Sequence, residues 1–459
     1  MNPNTISGVL TDTDFLLLGT AGGKRTLQSI PVPSQISNLG TLFQQAVLAG
    51  LSSVWVLPGT RFSRDINRSL LEEVNSVWEV VAIPGQLDPA RPVYAQVWRK
   101  LPTGRQGPIL SLTFPEYGGW NWQLPDAASL LATLTYLEHT LDMSVSYSSE
   151  QLALDLLKNL TIEANPSWTC PPTIDLRTLP TGDDQTVPIR ESAQPVVWMR
   201  PLTITEWRMK YLHKFEHNGL DLEVCTEVQL GVGNPLYSRN GRAYDGKLPG
   251  IWRVKAETAG SIFDGKHLPS CLHGEWMSTP EVKCCADIAY SVEVLEGYYW
   301  PESHRTLESW TTTLSRARQR LTMHSTPYRH TQARTNTSHT ISTISRLTIE
   351  QLINEEAPTT LYRPDWWAQI IGQSRANMFA HLGNLVRRGS MPVLIDKHAL
   401  WFASNDPNPL TAVPGALAPD EGFKTAYSAP LTLSREIKEA FRTMNCADKL
   451  AMMLDAEAK

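Results

Sequence analysis

The sequence predicts a mixed α/β (α+β) fold, and three observations lead there. Hydrophobic residues make up 42% of the 459 and charged residues 19%, enough apolar material for a full core. The 32 Pro and 28 Gly demand many turns and short elements, which excludes a long helical bundle. Apolar residues recur with the strand period in some segments and with the helix period in others, along the whole chain. The length suits two to four domains or one large composite body.

Taken in order, Phe15 to Leu18 form a strand that Gly22-Gly23 can turn into a second over 24–30. Residues 42–51 have helical periodicity and run into a short buried strand, 53–58, stopped by Pro58 and Gly59. Strands follow over 79–83, 93–99 and 109–114. Asp126 is placed to cap a helix over Ala127–Leu141, whose Leu130, Leu134, Leu137 and Leu141 share a face. Ser148-x-x-Gln151 fits a capping box for the next helix. Residues 161–200, with six Pro, read as a linker or long loop. The stretch 205–217 reads as a helix dense in aromatic and basic groups. Beyond it come a strand at 251–254, a helix at 281–289, a strand at 291–299 and a helix at 307–321. Residues 322–345, rich in Ser, Thr and His, fit no element, and 349–356 is a short helix. A helix with Pro364 in its first turn covers 366–388. Two strands around a tight turn, 392–395 and 399–403, precede a final helix at 434–457.

Several chemistries lack their signatures. There is no G-x-x-x-x-G-K-[ST], G-x-S-x-G or H-E-x-x-H, and Gly231-Val232-Gly233 lacks the third Gly of a dinucleotide loop. Six cysteines without C-x-x-C spacing imply reduced thiols. His267 and His273 flank Cys271 without zinc spacing, so no metal is expected. No signal-peptide pattern and no apolar run near the ~18 residues of a spanning helix occur, so a cytoplasmic protein without membrane contact is expected.

Charge is the most informative local feature. The 41 Lys+Arg against 46 Asp+Glu give a net charge of −5, which excludes a globally basic nucleic-acid coat. Between Pro301 and Arg346, however, Arg305, Arg316, Arg318, Arg320, Arg329, Arg334 and Arg346 face only Glu302 and Glu308. Arg316 and Arg320 share a helical face, with Arg318 on the other side. A second patch holds Arg363, Arg375, Arg387 and Arg388 with Asp365 as its acid. Interleaved hydroxyl and ring side chains suit phosphate and base contacts. The competing reading is a solvated surface whose arginines pair with acids elsewhere. Trp276 and the Trp366-Trp367 pair are expected in the core.

The element order also points somewhere. A strand (251–254), a loop, Gly274 to Pro280, a helix, the strand 292–300 and an Arg-rich helix come first. A long helix then leads into Val393-Leu394-Ile395-Asp396-Lys397-His398-Ala399-Leu400-Trp401-Phe402. This order resembles the palm and fingers of family B DNA polymerases. There, a strand with a catalytic Asp precedes a fingers insertion, and a β-hairpin carries a Y-x-D-T-D-S turn. Two aspartates hold a pair of Mg²⁺ ions for nucleotidyl transfer. The resemblance implies a ribonuclease H-like, exonuclease-type domain at 1–160 and a linker and helical connector at 161–245. It further implies a palm- and fingers-like domain at 246–459 with a helical insertion at 300–390. The catalytic motifs depart from the family. The turn matches only at Asp396, with Lys397 and His398 after it. The strand near Arg253 has no Asp, and Asp264 lies beyond it. No K-x-x-x-N-S-x-Y-G occurs between 310 and 362. Asp12 and Asp14 precede the first strand instead of forming D-x-E on it. About 55 residues follow the hairpin, too few for a full thumb.

The expectation is therefore a catalytically inactive, polymerase-like protein without cofactor. It would bind DNA or a DNA–RNA hybrid through Arg316, Arg318, Arg320, Arg329, Arg334, Arg375, Arg387 and Arg388. Its setting would be a replication or mobile-element assembly with other proteins of that machinery. One alternative is an active polymerase or nuclease using Mg²⁺ on Asp396 with Asp264 or Asp406. Another is a protein–protein adaptor built on the 15 Trp.

Overall fold

The computed structural model describes residues 7–21, 24–32, 39–66, 71, 78–84, 90–100, 106–120, 122–162, 172–183, 185–189, 196–217, 220–258, 275–287, 290–323, 331–355, 361–413, 423–425, 429–444 and 446–457. The chain divides into two compact units, 1–159 with 312–348 and 160–311 with 349–459.

In the first unit, β1 (Ser7–Leu10), β2 (Asp14–Ala21) and β3 (Lys24–Pro31) form an antiparallel meander. Helix α1 (Leu39–Leu48) leads to β4 (Ser53–Val56), which returns parallel to β1. A hairpin of β5 (Trp78–Pro84) and β6 (Pro92–Lys100) then feeds β7 (Gln106–Thr113), parallel to β4. The order β3-β2-β1-β4-β7-β6-β5 is that of a ribonuclease H-like sheet extended by one hairpin. Alternation explains the layers. Leu10, Val54 and Val56 meet Leu42 and Phe43 of α1 on one face, while Val9 and Trp55 meet Leu130, Leu131 and Leu134 on the other. Those leucines belong to α2 (Ala127–Leu141), whose N-cap Asp126 accepts from the Ser129 amide at 2.7 Å, as its sequence requires. Ser148 caps α3 (Ser149–Leu157), but Gln151 bonds Asp155 and so leaves the box open.

In the second unit, β8 (Val197–Met199) is followed by β9 (Tyr211–His217), α4 (Leu220–Glu227), β10 (Leu230–Gly231) and β11 (Leu236–Ser238). The expected helix at 205–217 is a single turn, Ile204–Trp207, and then a strand. Thr203 and Glu206 form a complete capping box at that turn. From Tyr211 successive residues face opposite sides of a sheet, and packing overrides helix propensity. Next come β12 (Gly250–Thr258), β13 (Trp276–Ser278), α5 (Thr279–Asp287), β14 (Tyr290–Tyr299) and β15 (Ser303–His304). They build a sheet of order β11-β14-β12-β13.

Two long helices run from one unit into the other: α6 (Glu308–Met323) and α7 (Thr331–Gln351). The segment that fitted no element is thus largely helical. Its hydroxyls turn inward and bond back to the preceding turn, as Thr337 does to Ala333, Thr340 to Asn336 and Ser345 to Ile341. Asn336 bonds both backbone groups of Gln123, and the Trp122 indole donates to Thr340. Residues 312–348 thereby pack into the first unit.

Helix α8 (Pro364–Arg387) enters β16 (Leu394–Asp396) and β17 (Ala399–Ser404), followed by β18 (Phe423–Thr425) and β19 (Leu431–Thr432). The sheet order is β18-β9-β17-β16-β8, with β19 also on β9. The expected final helix is two, α9 (Arg435–Thr443) and α10 (Ala447–Glu457). Trp276, Trp366 and Trp367 are buried as expected, and the four described cysteines carry free thiols.

Candidate functional site

The hairpin turn that carries Asp396 is built by β16 and β17, with Asp396 opposite Ala399 across the two-residue turn Lys397-His398. Lys397 adopts a left-handed φ of 56°, rare for a side chain with a Cβ. Two backbone bonds hold it there: Lys397 N–H to the Val196 carbonyl at 2.7 Å, and His217 N–H to the His398 carbonyl at 3.0 Å.

The strand facing this hairpin is β9, where Glu216 pairs with Ala399, Phe215 with Leu400 and Lys214 with Trp401. The strand at 251–254, which the polymerase resemblance set in the place of the palm strand with a catalytic Asp, is instead part of β12 and belongs to the other sheet. Glu216 is the carboxylate that sequence reasoning missed. The available signal was alternation in Leu212, Lys214 and Glu216, masked by the aromatic and basic residues that suggested a helix.

Lys214, Glu216, His217, Asp396, Lys397, His398 and Ala399 line a cavity of about 250 Å³. Lys214 Nζ lies 2.8 Å from Glu216 Oε1 and 3.0 and 3.1 Å from the two Asp455 oxygens of α10, with its side chain 7% exposed. The Trp401 ring lies 5.4 Å from the same ammonium. Burial works against the charge on Lys214, but Glu216 and Asp455 outweigh it and raise its pKa above the ordinary value. Burial raises the pKa of Asp396, with Lys397 and Lys214 opposing.

Asp406 lies elsewhere. Its carboxylate accepts from Asn408 N–H and from the Thr411 hydroxyl, which lowers its pKa, and its carbonyl lies 2.8 Å from His213 Nε2. The cavity around Asp396 is not lined by it. Asp264, Arg329, His267, Cys271 and His273 lie outside the described residues. Among the described residues no group of three or more His, Cys, Asp or Glu is placed to hold a metal ion. Glu216 and Asp455 are both bonded to the Lys214 ammonium. Among the described residues, Glu216 and Asp455 are thus not free to bridge ions about 3.5–4 Å apart, as a two-metal site requires.

The arginines separate by environment. Arg316 and Arg320 are exposed on α6, opposite the buried Trp310, Leu314, Ala317 and Leu321, while Arg318 is half-buried beside Ser342. Arg320 also reaches the carbonyls of His139 and Thr140 at the end of α2. Arg334 is half-buried and Arg346 exposed on α7. Arg387 and Arg388 are exposed at the end of α8. Arg375 is not at the surface. It is 4% exposed and ion-paired with Glu281, itself 2% exposed, so phosphate cannot reach it without breaking that pair. Arg363 is likewise buried, held by Asp365 at 2.7 Å.

No protein-family model and no curated protein matches the chain. Solved structures do. The phi29 DNA polymerase complexed with primer-template DNA and incoming nucleotide substrates matches 89% of this chain and 82% of its own. That match has 9% identity and a TM-score of 0.50. The same polymerase complexed with primer-template DNA alone matches 88% of this chain and 81% of its own, at 10% identity and a TM-score of 0.48. The likeness is one of fold: this chain has a polymerase-like fold over most of its length.

Proposed function

We propose that this protein binds nucleic acid as a catalytically inactive relative of polymerases, within a replication or mobile-element assembly. The observation that carries the reading is Lys214. Its ammonium sits among the carboxylates on the hairpin face, and a tethered cation there competes with any divalent ion for the same oxygens. With metal-assisted transfer disfavoured, what the fold retains is a surface for a polyanion. The phi29 DNA polymerase structure that shares the fold at a TM-score of 0.50 is complexed with primer-template DNA and incoming nucleotide substrates, which supports nucleic acid as the partner class. Exposed Arg316, Arg320, Arg346, Arg387 and Arg388 supply the cations. The half-buried Arg318 and Arg334 line the same two helices. Binding of this kind is driven by counterion release and needs no base code.

Fluorescence anisotropy with single- and double-stranded DNA tests binding. Neutralising four phosphates of a single strand predicts an affinity about 50-fold weaker at 200 than at 50 mM NaCl. Absence of binding at 50 mM sinks the reading. Primer extension with Mg²⁺ or Mn²⁺ tests inactivity. Extension that disappears in Asp396→Ala would establish an active enzyme working through Asp396.

A further inference from the structure

Helix α10 lies on the sheet face that carries Lys214, Glu216 and Asp396. Side chains alternate along a strand, so Leu212, Lys214 and Glu216 share one face of β9, and Leu394 and Asp396 share one face of β16. Leu212, Leu394 and Trp401 pack with Leu450, Ala451 and Leu454 of α10 in one cluster, which fixes that face as the covered one. The helix runs across β16 and β8. It carries Asp448, Asp455 and Glu457 against the one cation Lys449. Asp455 bonds Lys214 through both oxygens, at 3.0 and 3.1 Å.

An acidic helix thus holds the same ammonium that a phosphate approaching this cavity would need. We infer that α10 is an internal cover, a stand-in for a polyanion, that keeps the hairpin face closed, with Lys214–Asp455 as its latch. The inference rests on the nucleic-acid-binding reading and adds a competitor to it. Leu450 and Leu454 are fully buried and anchor the helix. The latch is the weak part, because Asp455 is 35% exposed and solvent screens the pair. Opening the latch removes one of the carboxylates that hold Lys214, beside a cavity that Lys397 and His398 also line, and so lets an external anion compete for the ammonium.

The test uses the full chain with Asp455→Asn and Asp455→Ala. Glu439→Gln on α9 serves as a control, since it makes the same charge change at an exposed i,i+3 pair away from the face. Hydrogen exchange of residues 447–457 and the Kd for single-stranded DNA at 50 mM NaCl are measured together. Both Asp455 variants should exchange faster in 447–457 and bind about threefold or more tightly than Glu439→Gln, the scale of one screened ion pair. A Kd equal to the control's, or unchanged protection of 447–457, overturns the cover. If neither the wild type nor any variant binds DNA, the nucleic-acid reading itself fails. If the wild type binds and the Asp455 variants gain nothing, the cover alone fails.

Discussion

Asp396 is pulled two ways: burial favours its neutral form, and Lys397 and Lys214 favour its charge. Burial wins, so its folded pKa lies above the unfolded value. A raised carboxyl pKa penalises the folded state fully above the folded pKa, and the penalty fades as pH falls to the unfolded value near 4. Asp396→Asn should therefore raise Tm at pH 7, by about 1–2 °C given the solvent screening. The gain should shrink toward pH 4, and thermal melts across that range check both size and sign. Lys397 offers a second test at the same turn. Its left-handed backbone costs about 1 kcal/mol that glycine would not bear, so Lys397→Gly should stabilise by roughly that amount in urea unfolding. Of this turn the sequence showed Asp396, the two flanking strands and their tightness. It could not show Glu216, because the strand supplying it lies about 180 residues earlier and was disguised by its own composition.

Between elements, α8 approaches β13 and α5 closely at Gly372. A Cβ on Gly372 would lie 1.8 Å from Ser278 Oγ and 3.1 Å from Glu281 Oε2, so only glycine lets the helix this close. That approach places Arg375 one turn further on, against Glu281, whose other oxygen accepts from Ser278 N–H at 2.9 Å. Gly372→Ala should cost about 1–3 kcal/mol through overpacking. Arg375→Ala should cost about 3–5 kcal/mol, because Glu281 is left buried without its cation. Equilibrium unfolding in urea measures both, and an Arg375→Ala loss under 1 kcal/mol would place that arginine outside the core. Elements whose apolar residues keep one period were legible, such as Ala127–Leu141 and the strands of the β5–β6 hairpin. Helix α7 was not. Its buried face mixes Ala333, Ile341, Ile344 and Ile349 with Asn336, Thr337, Thr340 and Ser345, and three of those hydroxyls become compatible with burial by bonding the carbonyl four residues back.

At the scale of the whole molecule, a net charge of −5 conceals cationic surface in both compact units: Arg316 and Arg346 in the first, Arg387 and Arg388 in the second. Each pair should contribute its own share of counterion release. For a single strand, each arginine that neutralises a phosphate contributes about 0.7 to the slope of log K against log salt. Arg316→Ala with Arg346→Ala should therefore lower the slope by about 1.4, and Arg387→Ala with Arg388→Ala by a similar amount. The quadruple variant should lose about 2.8 where the two pairs contribute independently. All three variants should melt near the wild type, since exposed substitutions rarely exceed about 0.5 kcal/mol. A quadruple slope no smaller than that of either double would show that the two pairs do not contribute independently. Unchanged slopes throughout would move the phosphate contacts off these arginines altogether.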